Sequence, residues 1–371
     1  MRVRSYSKTV MKMNRTLHMD LGENSYDIIM ERGALDRIGE LLDLERKVMI
    51  VTDNGVPPEY AAKVSRACFI HECKMLNGEE HHFDRKTGFV CSVIPGEGSK
   101  SMEEASWLIS KMLEYGFTRK DAVVAVGGGV VGDLAGFVAS IYMRGIDFYN
   151  IPTTVLSQVD SSIGGKTAVN FNGIKNIVGS FWQPKKVIID LDLLKTLPHR
   201  QIANGLAEAV KMSMTSDKEL FELFEKGNID ENMDEIIYRS LLIKKSVVEQ
   251  DEREAGIRKI LNFGHTIGHA IESVEHLSGL YHGECVALGM IPMTHKKIRP
   301  RLIQVLEKLH LPTYTDCDCH AIIKAMSHDK KSTEDGRVTA IFVDEIGTYK
   351  MREIDPEALG GHLSMLKGES E

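Results

Sequence analysis

An α/β amino-terminal domain on a Rossmann-like parallel sheet, followed by a mainly α-helical carboxy-terminal domain, is predicted by three features of the 371-residue chain. Short apolar runs alternate with helical periodicity in the first half. One of those runs ends in a glycine-rich turn, and beyond Leu197-Pro198 long helical patterns replace the strand-like ones.

In chain order, residues 1–14 lack apolar periodicity, and Arg2, Arg4, Lys8, Lys12 and Arg15 precede any acid. An organelle transit peptide has such a composition, but the missing amphipathic pattern favours a disordered extension, or a true start at Met11 or Met13. Residues 46–52 form a short buried strand ending at Asp53, and Ala122–Val126 repeats the pattern before Gly127. Between them Met102, Ala105, Leu108, Ile109, Met112 and Leu113 recur at helical spacing, the crossover of a βαβ unit. Within residues 61–94, the polar stretch Asn77–Thr87 predicts a surface loop or hairpin. Phe148–Ile151 and Lys186–Ile189 are strands feeding loops at the sheet's carboxyl edge, where ligands collect. Helices follow at 201–214, 217–226, 233–250, 258–276, 284–297 and 301–309, then strand-like Val338–Val343 and Thr348–Met351. The expected domains are 15–197 and 198–371.

Composition narrows the function. A net charge of −7 leaves no basic footprint for nucleic acid, while small anionic ligands stay open. Six cysteines are sparse for this length and fit a reducing cytoplasm. No apolar run approaches the ~18 residues of a membrane span. Cys317-Asp318-Cys319-His320, with Cys68 or Cys73, is a weak structural-zinc candidate because it lacks paired Cys-x2-Cys spacing.

Gly127-Gly128-Gly129-Val130-Val131-Gly132-Asp133 satisfies G-x-G-x-x-G, whose glycines let a pyrophosphate approach the amides opening a helix. The acidic ribose ligand expected about 20 residues on is missing from Asn150–Leu156, so this is not a standard Rossmann site. Residues 144–176 gather Arg144, Lys166 and Lys175 among small residues and glycine pairs, which would let them converge on a phosphate or carboxylate. Asp160 would steer a hydroxyl or a lysine there.

Arg258, Asn262, His265 and His269 are spaced four, three and four, so a continuous helix would place them on one face, with Glu254 extending the stripe. Ile260, Leu261, Phe263, Ile267 and Ile271 cover the other sides, so the stripe needs partners inside the protein. His-x3-His is metal-ligand spacing but two ligands are too few. Tyr281-His282-Gly283-Glu284 and Gly205–Lys211, with Glu208 and Lys211, offer the missing groups. A nitrogen, nitrogen, carboxylate set with open positions fits Zn²⁺ best and Co²⁺ or Mn²⁺ next.

As a set, Gly127–Asp133, Ile151–Leu156, Asp160–Lys166, Gly205–Lys211, Asn262–His269 and His282-Gly283-Glu284 resemble the 3-dehydroquinate synthase family. The resemblance implies a carbon–oxygen lyase of the shikimate pathway. It would turn 3-deoxy-D-arabino-heptulosonate 7-phosphate into 3-dehydroquinate and phosphate by transient NAD-dependent oxidation, phosphate elimination, reduction and aldol closure. It further implies Glu208, His265 and His282 as metal ligands, with His269 beside them as a proton relay. Arg144, Asn176, Arg258 and Lys330 or Lys331 would hold the phosphate; Lys166, Lys244 and Asn262 would hold the carboxylate and hydroxyls, with Lys211 and Asp160 near the reacting carbons and Glu254 as a further catalytic residue. NAD would meet Asp53, Glu97, Lys100, Gly128, Gly129, Val130, Asp133, Thr153, Thr154, Lys175, Thr196 and Leu197. A homodimer is implied as well. Gln201 departs from the glutamate usual after Leu-Pro-x-Arg and puts that cofactor contact in doubt. The rivals are another sugar phosphate cyclase, which typically changes the positions of Lys244, Arg258 and Asn262, a metal-dependent polyol dehydrogenase, and a catalytically inactive NAD-binding regulator.

Overall fold

The computed structural model describes residues 14–76, 79–274, 279–327 and 337–367. Its first half runs through β1 (Asn14–Met19), β2 (Tyr26–Glu31), α1 (Ile38–Leu41), β3 (Val48–Asp53), α2 (Pro58–Ala67), β4 (Phe69–Leu76), β5 (Glu79–Lys86) and β6 (Gly88–Val93). It continues through α3 (Met102–Glu114), β7 (Ala122–Gly127), α4 (Gly129–Ile141), β8 (Asp147–Pro152), β9 (Lys166–Phe171), β10 (Ile174–Phe181) and β11 (Lys186–Ile189). One sheet has the order β1-β2-β11-β8-β7-β3-β6; its β1–β2 pair is antiparallel and its other pairs are parallel.

Burial on both faces explains why β7, and β3 from Val48 to Val51, are continuously apolar rather than alternating. Met49, Val51, Val123 and Ala125 point into the layer shared with α3 and α4. Val48, Ile50, Ala122, Val124 and Val126 point into that of α1 and α2. At the other end of the sheet, Ile28, Met30, Val187 and Ile189 join one core with the helical half.

That half comprises α5 (His199–Ser216), α6 (Lys218–Lys226), α7 (Ile229–Gln250), α8 (His265–Val274), α9 (His282–Met290), α10 (Arg299–Lys308) and α11 (Cys319–Ser327). The hairpin β12 (Val338–Phe342) and β13 (Lys350–Ile354) and then α12 (Pro356–Leu363) follow. Local chemistry sets the ends: Asp217 accepts from the Leu220 amide at 3.0 Å to open α6, and Gly227, at φ +84°, closes it.

Several expectations need correction. Asn14 belongs to β1, so the described strand begins inside the expected 1–14 extension, whose other residues lie outside the described ones. The single helix over 258–276 is two elements. A 3₁₀ segment, Ile257–Asn262, ends at extended Phe263 and Gly264 at φ +77°, and α8 starts afresh. The helix over 284–297 stops at Met290: Ile291 still has helical dihedrals, but Pro292 has no amide to donate and the hydrogen-bond ladder ends there. The expected strand Phe148–Ile151 lies within β8, and the rest of 144–176 contains a π turn at Ser157–Ser161, β9 and the start of β10. Of the polar stretch Asn77–Thr87, Glu79–Lys86 forms β5, which pairs antiparallel with β4; residues 77 and 78 lie outside the described ones.

Candidate active site

α5, α8 and α9 bring the polar groups together by close backbone approach. A Cβ on Gly289 of α9 would lie 2.0 Å from the Gly264 carbonyl oxygen, and one on Gly283 would lie 2.0 Å from that of Asn204 in α5. The buried Asn204 side chain also accepts from the Gly283 amide at 2.6 Å. Only glycine permits these crossings, which seat the first turn of α9 on α5 and its last turn against the start of α8.

The result is a histidine cluster. His265, His269 and His282 each offer a ligand nitrogen, and these atoms lie within 4.8 Å of one another. Oε1 of Glu208 lies 3.5 Å from His282 Nε2 and 3.8 Å from His265 Nε2. That oxygen is buried without a hydrogen bond, in a residue only 1% exposed. The other carboxylate oxygen accepts from Lys211, which also stands 3.6 Å from Asp160. Asp160 pairs in turn with Lys244, whose Nζ donates to the Asp160 carbonyl at 2.6 Å.

Charge in this row is set by competition between burial and neighbours. Burial alone would raise the Glu208 carboxyl, but Lys211 and His282 outweigh it and hold it well below the usual range. Burial would lower Lys211, yet Glu208 and Asp160 raise it. For His265 burial prevails, reinforced by Lys211, so its imidazole stays neutral with free ligand capacity. Burial also dominates at Lys244, aided by Arg258 against Asp160, and brings it down to about 8.

Glu254, at φ +60° in the connection after α7, reaches both Lys166 and Asn262, the latter at 2.8 Å. It therefore links Lys166 to Asn262 and is not a helical extension of the stripe. Arg258 is 1% exposed and donates to the Gly164 carbonyl at 3.0 Å and to that of Glu252, fixing the turn that leads to Lys166.

The glycine loop lies at the carboxyl edge of β7, with Gly128 capping α4. Beside it Lys100, 5% exposed, pairs with Asp133, and Glu97 accepts from Asn170 at 2.9 Å. Val130 lies in the first turn of α4. The Thr153 amide donates to the Gly127 carbonyl at 2.9 Å, and Thr154 bonds Ser157 at 2.8 Å. Thr196 lies 3.3 Å from the Tyr60 hydroxyl, next to Leu197, and Asp53 accepts from the Gly55 amide at 2.7 Å, a turn-forming role.

The expected convergence of Arg144, Lys166 and Lys175 does not occur within one chain. Arg144 sits beyond the carboxyl end of α4, ~20 Å of helix from the glycine loop. Lys166 opens β9 and pairs with Glu254, whereas Lys175, near the hairpin tip with Asn176, pairs with Glu272 at 2.9 Å. Lys330 and Lys331 lie outside the described residues. Among those residues the histidine cluster is the one group of metal-ligating side chains, and Cys317, Cys319 and Cys68 form no such set. Two groups in contact with α9 escaped the sequence reading: Glu272, 3.5 Å from His282 Nδ1, and Asn204, which accepts from the Gly283 amide. Glu272 had a signal, falling on the His265 and His269 face of α8; Asn204 had none.

A mostly parallel sheet joined to a helical half that carries a carboxylate–histidine cluster is the architecture of the sugar phosphate cyclases. A 2-deoxy-scyllo-inosose synthase structure, complexed with carbaglucose-6-phosphate, NAD⁺ and Co²⁺, superposes with a TM-score of 0.82 at 24% identity, covering 95% of this chain and 100% of that one. A 2-epi-5-epi-valiolone synthase from Streptomyces hygroscopicus subsp. jinggangensis, with NAD⁺ and Zn²⁺ bound, gives 0.80 at 25%, covering 92% and 96%. Within that class the chain belongs to the 3-dehydroquinate synthase family. The family's N-terminal model matches residues 90–204 and its C-terminal model residues 205–332. The 3-dehydroquinate synthase of Enterococcus faecalis is 42% identical over 368 residues, 94% of this chain and 98% of that protein.

Proposed function

We propose that the chain catalyses its family's reaction, converting 3-deoxy-D-arabino-heptulosonate 7-phosphate to 3-dehydroquinate and phosphate, with NAD⁺ and a divalent metal, Zn²⁺ or Co²⁺, as resident cofactors. The observation that carries this reading is Glu208 Oε1, a buried carboxylate oxygen that lacks a hydrogen bond and faces two histidine nitrogens. A buried anionic acceptor without a donor is costly, and a cation held with His265 and His282 satisfies it. The glycine loop fits a dinucleotide in the same sense, since a Cβ on Gly129 would meet the Ser161 hydroxyl at 3.0 Å and close the approach to the α4 amides.

When bound, the metal supplies Lewis-acid polarisation of substrate oxygens and NAD⁺ supplies reversible hydride acceptance. The chain's own residues do the rest. Lys211, locked between Glu208 and Asp160, keeps its proton and stabilises negative charge on a neighbouring oxygen. Lys244, Lys166 and Asn262 bind the carboxylate and hydroxyls, and Arg258 shapes the turn they rest on. His269, at the open side of the cluster, takes and returns protons. Asn176, with Lys330 or Lys331, would hold the phosphate. The same reading divides the chain into domains 15–197 and 198–371 and makes it a cytoplasmic homodimer, which sedimentation would check.

Phosphate release from the heptulosonate, with NAD⁺ and Zn²⁺ or Co²⁺ present and no net absorbance growth at 340 nm, is the expected result. Release from sedoheptulose 7-phosphate instead would mark another cyclase, and sustained NADH formation with glycerol a polyol dehydrogenase. His265→Ala should lose metal and turnover together while staying folded; full turnover in that variant would sink the ligand set.

A further inference from the structure

α8 carries His265, His269 and Glu272 at intervals of four and three residues, so all three share one face. The first two belong to the histidine cluster, and Glu272 lies one turn further along. Its Oε2 stands 3.5 Å from His282 Nδ1, and its Oε1 accepts from Lys175 Nζ at 2.9 Å. His282 is thus engaged at both ring nitrogens, Nδ1 by Glu272 and Nε2 by the approach of Glu208 at 3.5 Å.

A neutral imidazole carries one proton, and the nitrogen holding it cannot ligate. A carboxylate at Nδ1 keeps the proton there and leaves the Nε2 lone pair aimed at the cluster. Lys175, on β10, holds the carboxylate by one oxygen while the other faces His282. His265 solves the same problem differently, with its Nδ1 3.2 Å from the carbonyl of Phe263, two residues away in the backbone. At His282 the orienting group is a side chain from another helix, which a substitution removes cleanly.

We propose that Glu272 is a positioning residue of the metal centre: it fixes His282 in the tautomer and ring orientation that present Nε2 to a divalent cation, and Lys175 holds it in place. This rests on the assignment of Glu208, His265 and His282 as ligands and adds a residue to it.

The test is Co²⁺ affinity of the purified full chain, by competition with a chromophoric chelator, together with the visible spectrum of the Co²⁺-loaded protein and a thermal melt. Glu272→Ala should weaken Co²⁺ binding by about 10- to 100-fold and shift the visible bands, with the parent's melting temperature in the metal-free state. Glu272→Gln, whose amide oxygen still accepts from Nδ1, should restore affinity to within about fivefold of the parent. If His282→Ala binds Co²⁺ as tightly as the parent, the ligand assignment falls and this inference with it. If His282→Ala loses Co²⁺ while Glu272→Ala keeps the parent's affinity and spectrum, the ligands stand and the role of Glu272 is refuted. A defect in Glu272→Ala that Glu272→Gln does not relieve also refutes it.

Discussion

Gly289→Ala should damage the protein, although glycine to alanine within a helix ordinarily gains about 1 kcal/mol. The added Cβ would fall 2.0 Å from the Gly264 carbonyl oxygen and 2.8 Å from the Gly268 amide nitrogen, where ordinary contacts begin near 3.4 Å. Both obstacles are backbone, so α8 and α9 must part by more than 1 Å rather than let a side chain turn aside. Overpacking of this kind costs about 1–3 kcal/mol; at its upper end, less the helix gain, a net loss of ~2 kcal/mol remains. For a chain of this size that lowers Tm by roughly 2–3 °C. The separation also moves His282 away from His265 and His269 by far more than the ~0.2 Å a metal site tolerates, so metal affinity should fall at least about tenfold. Thermal melts and metal content after dialysis measure both effects. Gly361→Ala in α12, where nothing lies within 4 Å of the new carbon, is the control and should melt at or above the parent. If Gly289→Ala also melts no lower than the parent and keeps its metal, the packing argument is wrong.

Lys244, brought by burial from an ordinary 10.5 to about 8, must be protonated to bind an anion, so kcat/KM should fall above about pH 8. A profile flat to pH 9.5 would exclude that role. Because the folded value is depressed, the unfolded chain holds this proton more tightly between about 8 and 10.5, and this group stabilises the fold as pH rises through that window; urea titrations of Lys244→Met should lack that increment. Lys100→Met leaves the Asp133 carboxylate unpaired and should cost about 3 kcal/mol, whereas Lys100→Met with Asp133→Leu should recover most of the stability but not NAD⁺ binding. A double variant no more stable than the single one would show that the pair does not account for the loss.

β3, β7 and α3 were legible because a strand buried on both faces and a crossover helix each print their periodicity directly in the residues. β1 and β2 were not: they pair locally with each other, but what seats them in the sheet is the parallel contact of β2 with β11, which joins residues more than 150 positions apart. The break at Phe263–Gly264 was hidden for a related reason. The 3₁₀ segment and α8 each keep helical spacing, and only the demand of Gly289 for the Gly264 carbonyl shows why the chain must interrupt there. The glycines flanking His265 did announce a close approach, but not which backbone would come near.

The residue types and spacings alone determined the two-part architecture, the glycine loop and the resemblance that joins Glu208, His265 and His282, because ligand chemistry admits few side chains. Which groups meet was decided by tertiary packing. α5, α8 and α9 come from separate stretches of chain and converge only through glycine crossings. That convergence leaves Glu208 Oε1 without a donor and places Glu272 against His282, while the β9–β10 hairpin separates Lys166 from Lys175. Such contacts depend on the distance between helices, which no local periodicity encodes.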